Sequence, residues 1–187
     1  MQSSENSTNE PKKKPGRKIQ NSNGNKAGSA TRYEDIHFVD SNKAVWNYSL
    51  FTEEDIRNFQ NGTHYTLYNL FGSREIEVLG RKGFYFAVWA PNASYISVIG
   101  NFNDWDPSAH PLYVRLEKSG IWEGFIPAIE MGEVYKYHIH GFEGVKIDKG
   151  DPFAWFWERR PNTASITWKL DYQWKDQEWM NMRKENN

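Results

Sequence analysis

The chain has 187 residues, no cysteine, 25% charged and 38% hydrophobic residues, and a formal net charge of −1. An eight-fold α/β barrel needs about 250 residues, so this length favours one globular domain with short additions. The lack of cysteine excludes disulfides and thiolate metal sites. No apolar run reaches the roughly 20 residues of a bilayer span, and the N-terminus lacks an apolar signal segment, so we expect a cytoplasmic protein that does not enter a membrane.

Charge and aromatic content divide the chain near residue 32. Residues 1–32 hold seven Lys or Arg against two Glu and contain no aromatic, whereas residues 33–187 are net acidic and hold all 30 aromatics. Such a polar segment buries too little apolar surface to fold, so residues 1–32 are predicted to be a disordered tail. Its basic run, Lys12–Lys18, is compatible with contacts to nucleic-acid phosphates, but we favour a solubilising tail and expect no nucleic-acid partner.

Residues 33–80 carry the signals of a short helix. Thr52 is a suitable N-cap, and the acidic residues that follow it, beginning with Glu53, match the positive first turn. Ile56 and Phe59 share one helical face, and Asn61-Gly62 is a stop signal. We therefore predict a helical preface over residues 33–80.

From Gly83 onward, short runs with a period of two alternate with turn signals. Several short strands with little helix between them predict a mainly β fold, an antiparallel immunoglobulin-like β-sandwich over residues 81–170. Residues 171–187 turn polar and helical, and we expect them to connect to a further domain. The predicted strands lie in the segments 83–89, 95–99, 121–126, 135–140 and 164–168.

The loop from Gly100 to Pro107 is the first candidate binding site. It places Trp105 in a turn rich in amides and carboxylates, including Asn103. A flat indole surrounded by hydrogen-bonding groups suits the CH-lined face of a glucose ring. The alternative is that Trp105 folds back to cap the sandwich.

The strand from Tyr135 to His140 is the second candidate. Its odd positions are apolar, whereas Lys136, His138 and His140 share the other face. These donors suit sugar hydroxyls, and a solvated sheet face is the simpler alternative. A metal site would need further ligands such as His110 or Asp106, which nothing in the sequence brings beside the strand, so we expect no metal and no cofactor.

Two closely spaced carboxylate pairs are the candidates for an acid and a base in glycosidic bond cleavage. That reaction needs two carboxylates about 5–10 Å apart. They are Asp104 with Asp106 and Asp148 with Asp151. Both pairs lie in turn sequences, where Asp is common for backbone reasons. We therefore expect no catalytic residue in this chain.

Several motifs nevertheless occur in an order and spacing that resemble the N-terminal region of 1,4-α-glucan (glycogen) branching enzymes. The resemblance covers about residues 50–180. The motifs are Phe84–Ala93, Val98–Trp105, Gly120–Pro127, Tyr135–Tyr137, Asp151–Ala154 and Arg160–Ser165.

The resemblance implies a module of carbohydrate-binding family 48 that precedes a family 13 glycoside hydrolase barrel. It implies a role in glycogen biosynthesis, in which α-1,4 chains are cleaved and rejoined through α-1,6 bonds. The catalytic carboxylates of this family lie on the barrel, so we expect this chain alone to position glucan and to be inactive. The implied partners are α-1,4-glucan or glycogen and the barrel.

Glucan-binding relatives of this module imply a contact role for Trp105, Lys136 and Asn162. They also have a second Trp platform just after the Lys strand, where this chain offers only Phe142. One platform fewer costs roughly 1–2 kcal/mol of stacking, so we expect weak binding. Two alternatives stay open: a structural domain that packs on the barrel without binding glucan, and a regulatory glycogen-targeting module.

Overall fold

Nine strands form two antiparallel sheets in the computed structural model, which describes residues 39–171 and 175–185. The first sheet has the strand order β1-β2-β5-β4, and the second has the order β3-β6-β9-β8, with β7 also paired to β6. The predicted immunoglobulin-like sandwich is confirmed. The strands are β1 (Gly72–Val78), β2 (Arg81–Trp89), β3 (Tyr95–Gly100), β4 (Tyr113–Val114), β5 (Ile121–Pro127), β6 (Val134–His140), β7 (Lys146–Lys149), β8 (Phe156–Trp157) and β9 (Ser165–Ile166).

Strand β2 is buried on both faces, which explains its nearly continuous apolar sequence. Phe84 and Phe86 point into the core between the sheets, where Val98 of β3 and Tyr135 of β6 meet them. Tyr85 alternates with them and points to the other side of the first sheet, into a second buried cluster. The first sheet therefore has a covered outer face.

The cover of that outer face is built by the helix α1 (Glu53–Gln60) and the segment before it. Thr52 accepts a hydrogen bond from the Asp55 backbone N–H, and the Asp55 side chain accepts one from the Thr52 backbone N–H, which closes a capping box. Ile56 on the buried side of α1 packs into the second cluster. The predicted helix start at Thr52 and stop at Asn61-Gly62 are both confirmed.

The helical preface is wrong in one respect, because β1 lies inside residues 33–80 and pairs with β2 over its whole length. The first half of β1 places the polar residues Ser73 and Arg74 at buried positions, so only Ile76 and Val78 alternate with the exposed Glu75 and Glu77. Its polar residues at buried positions removed the period-two signal. The predicted tail, residues 1–32, lies outside the described residues.

Three further strands, β4, β7 and β8, have two to four residues each and were not predicted. All four residues of β7 are exposed, and three of them are charged, so this strand has no apolar pattern. A second helix, α2 (Gln177–Glu185), follows the sandwich. Within residues 39–171 and 175–185, no helix has the length and hydropathy needed to cross a membrane.

Candidate functional site

The outer face of the second sheet carries the polar residues that the sequence singled out. Tyr135 and Tyr137 of β6 are fully buried between the sheets, so Lys136 between them lies on the opposite, outer face. Lys136 pairs with Ile99 of β3 in the antiparallel register. His138 lies two residues further along β6, on the same outer face.

The loop that follows β3 is held by one amide side chain. Asn103 Oδ1 accepts a hydrogen bond from the Gly100 backbone N–H at 2.9 Å, and Asn103 Nδ2 donates to the Val98 carbonyl at 2.9 Å. The same Nδ2 lies 2.8 Å from His110 Nδ1, and burial lowers the pKa of His110, which favours the neutral ring that can accept this bond. Both polar atoms of the Asn103 amide are thus engaged within the protein.

Trp105 stands on the turn that Asn103 holds. Asp104 and Trp105 both have positive φ, at 52° and 59°, a conformation that non-glycine residues adopt only when the surroundings impose it. Trp105 Nε1 donates to Asn101 Oδ1 at 3.0 Å, and Trp105 is 38% exposed. It belongs to neither buried cluster, so the alternative in which it caps the core does not describe this structure.

The strand register places the predicted residues on and beside β6. The Trp105 backbone N–H donates to the Gly100 carbonyl at 3.0 Å, and Gly100 pairs with Tyr135, the neighbour of Lys136. On the other edge of β6, Ser165 also pairs with Tyr135, and Asn162 lies in the loop that leads into Ser165. The loop with Trp105 continues past the start of β6, whereas the residues before Ser165 run toward the other end of β6, so the register brings Trp105 but not Asn162 to the start of β6.

Asn162 is exposed, and its Nδ2 donates to Glu158 Oε1 at 3.1 Å, which leaves its carbonyl oxygen without a contact among the described residues. Phe142 lies beyond the opposite end of β6 in the turn to β7 and is 77% exposed. Trp105 is thus one exposed indole near the start of β6, and Trp157 of β8, which pairs with Ser165 on the other edge of β6, is a second at 43% exposed.

The two histidines of β6 contact each other rather than a metal-binding set. His138 Nε2 lies 3.1 Å from His140 Nε2, and His138 Nδ1 lies 2.6 Å from Asp148 Oδ1 of β7. Partial desolvation, and then the positive charge of Lys146 and His138, lower the pKa of His140. In the part of the chain that the structure describes, no group of three or more His, Asp or Glu is placed to hold a metal ion.

The two carboxylate pairs are not arranged for catalysis. Asp151 is fully buried and accepts hydrogen bonds from the Tyr135 and Tyr137 hydroxyls at 2.6 and 3.1 Å, whereas Asp148 lies on the outer face with His138. Asp106 caps its own turn by accepting from the Ser108 backbone N–H at 2.8 Å. Asp148 and Asp151 therefore lie on opposite faces of the second sheet, and Asp106 is used to hold its own turn.

A second buried polar group, on the first sheet, was missed by the sequence analysis. Glu123 of β5 is 4% exposed and accepts from the Tyr85 hydroxyl at 2.5 Å, the Ser49 hydroxyl at 2.9 Å and Arg115 Nη1 at 2.6 Å. Burial raises the pKa of Glu123, and Arg115 and the hydrogen bonds offset part of that rise. The one available signal was a lone Glu within the apolar run of β5.

Comparison with known proteins finds curated relatives for most of the chain. Residues 70–154 match the family Carbohydrate-binding module 48 (Isoamylase N-terminal domain). The 1,4-alpha-glucan branching enzyme GlgB of Aquifex aeolicus (strain VF5) is 45% identical over 140 residues, which are 75% of this chain and 22% of that protein. The enzyme of the same name from Trichodesmium erythraeum (strain IMS101) is 48% identical over 134 residues, which are 71% of this chain and 17% of that protein.

The chain therefore spans about a fifth of the length of the curated relatives that it matches. Among solved structures, Klebsiella pneumoniae pullulanase complexed with maltotriose aligns with 55% of this chain and 10% of its own, at 22% identity and a TM-score of 0.45. The assignment of the sandwich rests on the chain's own two sheets.

Proposed function

Because the chain carries a carbohydrate-binding module of family 48 and is related to the N-terminal region of 1,4-α-glucan branching enzymes, we propose that it positions linear α-1,4-glucan for such an enzyme. The single observation that carries the proposal is the exposed indole of Trp105, on a hydrogen-bonded turn that begins at Gly100, one residue after the partner of Lys136 in β3. The outer face of the first sheet is covered by α1, whereas this face of the second sheet presents polar side chains to solvent.

Each predicted residue has a distinct part in the proposed contact. The indole of Trp105 stacks on the CH face of one glucose ring, and the Lys136 ammonium donates to its hydroxyls. Asn162 offers a free carbonyl oxygen as an acceptor from the third segment. Asn103 acts differently from the expectation of a direct contact: its amide is engaged with the loop, so it positions Trp105.

The transfer of glucan chains is proposed only for the full-length protein. The relatives named as branching enzymes are about five times longer than the matched segment, and two of the carboxylates considered for catalysis are engaged, Asp106 in its own turn and Asp151 in a buried network. A chain of these residues alone is therefore expected to bind glucan without converting α-1,4 to α-1,6 bonds. We propose that a barrel domain in the full-length protein receives the bound glucan.

One further observation favours a packing role alongside binding. Phe156 of β8 stacks on Trp168 with ring centroids 5.0 Å apart, and both rings remain more than a third exposed. Leu170, two residues after Trp168, is 63% exposed. An apolar group of this kind near the end of the sandwich is suited to contact with another domain.

Calorimetric titration tests the binding function directly. Maltoheptaose is titrated into the chain, and cellohexaose, which carries β-1,4 bonds, is the matched control sugar. The proposal predicts saturable heat with maltoheptaose only, at a dissociation constant on the order of 0.1–1 mM for a site with one indole platform. Absence of heat with a folded protein, shown by circular dichroism, would contradict glucan binding and leave the packing role.

A further inference from the structure

A cavity of about 600 Å³ lies on the other side of the molecule from the Trp105 face. One wall comes from the segment that leads into α1, with Asn47, Phe51 and Glu53, and the other comes from β4 and the residues after it, with Tyr113 and Arg115. Cavities of about 300–1,000 Å³ hold small organic ligands, so this one accommodates roughly two or three sugar rings. None of its residues takes part in the glucan contact proposed above.

The inner end of the cavity is rigid and already charged. Arg115 Nη1 lies 2.6 Å from Glu123 Oε1, Arg115 Nε contacts Glu117, and the guanidinium lies 5.9 Å from the Phe51 ring centroid. The side chains of Arg115 and Glu123 are only 18% and 5% exposed, so the pair is fixed in place before any ligand arrives. A fixed donor loses little conformational entropy when a ligand binds to it.

Some hydrogen-bonding groups of the lining remain unused. Within residues 39–171 and 175–185, Arg115 Nη2 has no hydrogen-bond partner, although Nε and Nη1 of the same side chain are bonded. The Asn47 amide likewise makes no hydrogen bond to another described residue. A planar guanidinium and a planar amide can each bond to vicinal hydroxyls.

The charge of the lining decides the class of ligand. Four carboxylates, on Glu53, Glu54, Glu117 and Glu123, face two guanidiniums, on Arg57 and Arg115. A phosphate or carboxylate ligand would be repelled by this excess of negative charge. The rings of Tyr113 and Phe51 and the exposed Leu116 supply apolar surface for the CH groups of a neutral polyol.

We propose that this cavity is a second saccharide site, which takes a short neutral oligosaccharide of two to three rings between Asn47, Tyr113 and Arg115. Binding at this site does not require Trp105, so the proposal can be tested separately from the proposed glucan face. Two sites on one module allow it to hold two chains, or two segments of one chain, with a gain in avidity.

The test is a titration of the ¹⁵N-labelled full chain with maltotriose. Amide chemical shifts, measured by NMR at each sugar concentration, report where the sugar binds. The proposal predicts saturable shifts in residues 47–54 and 113–117, and these shifts persist in Trp105→Ala. Asn47→Ala weakens the affinity at this site by about fivefold, in line with the loss of one exposed hydrogen bond, whereas the matched exposed control Asn92→Ala leaves it unchanged. Arg115→Lys keeps a cation beside Glu123 but removes Nη2, and it weakens the site by at least as much.

Two results would overturn the proposal. One is that these amides stay fixed up to about 20 mM maltotriose, well above the millimolar range of weak sugar binding. The other is that inorganic phosphate shifts them more than the sugar does, which would contradict a neutral ligand. Amides next to Trp105 and Lys136 report on the glucan face in the same spectra, so failure at one site is distinguished from failure at the other.

Discussion

At the scale of single residues, the Trp105 turn shows how one amide compensates for an unfavourable backbone. Gly100 is required where the turn begins, because a Cβ there would lie 2.3 Å from the Val134 carbonyl oxygen. Asp104 and Trp105 then adopt left-handed conformations, which cost on the order of 1 kcal/mol each. The three hydrogen bonds of Asn103 stabilise the turn and offset that unfavourable backbone energy.

Asn103→Ala is therefore expected to lower the free energy of unfolding by about 1–3 kcal/mol, because it leaves the Gly100 N–H and the Val98 carbonyl without their partner. It should also weaken maltoheptaose binding, since Trp105 loses its support. Urea unfolding and calorimetry measure the two effects. The control is Asn101→Ala, which removes only an exposed contact and should cost less than about 0.5 kcal/mol; equal stability of the two variants would contradict the positioning role.

At the scale of elements, α1 matters because it covers the first sheet. Its capping box is joined by His64, whose Nε2 lies 2.9 Å from Asp55 Oδ1. Partial burial would raise the pKa of Asp55, but the bonds from Thr52 and His64 outweigh it and lower that pKa. The charged form of Asp55 therefore stabilises the fold above pH 4, and this contribution is lost as the pH falls through the lowered value.

Thr52→Ala removes the side-chain cap of α1 and should cost about 1 kcal/mol in the free energy of unfolding, measured with urea at neutral pH. Thr63→Ala is the matched control, because the Thr63 hydroxyl makes only an exposed bond to the Asn58 carbonyl at 3.3 Å. Thr63→Ala should leave the free energy of unfolding nearly unchanged. If both substitutions lower the free energy of unfolding by the same amount, the capping box does not stabilise the position of α1.

The elements also show what the sequence could predict. The capping signals of α1 and the period-two pattern of β3 and β6 act locally, so both were found from the residues alone. The strand β1 was missed because the burial of Arg74 depends on its hydrogen bond to the Tyr68 carbonyl and on its stacking over the ring of Trp155, far along the chain, and a period-two pattern reveals neither. For the same reason Trp105 and Lys136 were found one by one, whereas the Arg115 and Glu123 pair depends on tertiary contacts.

At the scale of the whole molecule, the two sheets are joined by a buried polar network as well as by the apolar core. Asp151 receives the Tyr135 and Tyr137 hydroxyls from the second sheet, and the charge of Arg74 on the first sheet also favours its ionised form. Burial outweighs these effects and raises the pKa of Asp151 above its ordinary value of 3.8. The protonated carboxyl is thus better tolerated in the folded protein than in the unfolded chain.

A raised folded pKa means that this group adds stability as the pH falls through that value and loses it as the pH rises. Relative to Asp151→Asn, the unmodified chain should therefore gain unfolding free energy between pH 7 and about pH 4. Urea unfolding of both proteins across this range measures the difference. If the unfolding free energy of the unmodified chain instead falls relative to Asp151→Asn as the pH is lowered, Arg74 and the tyrosine hydroxyls, not burial, control the pKa of Asp151.

The central claim, that the Trp105 face binds α-glucan, is tested most directly by calorimetric titration of maltoheptaose into Trp105→Ala. Trp179→Ala is the matched control, because Trp179 lies on α2, is 55% exposed and has only Arg183 over its ring. The account predicts a loss of affinity of about tenfold or more for Trp105→Ala and none for Trp179→Ala, which corresponds to one lost stacking platform. Equal affinity of both variants and the unmodified chain would contradict the account.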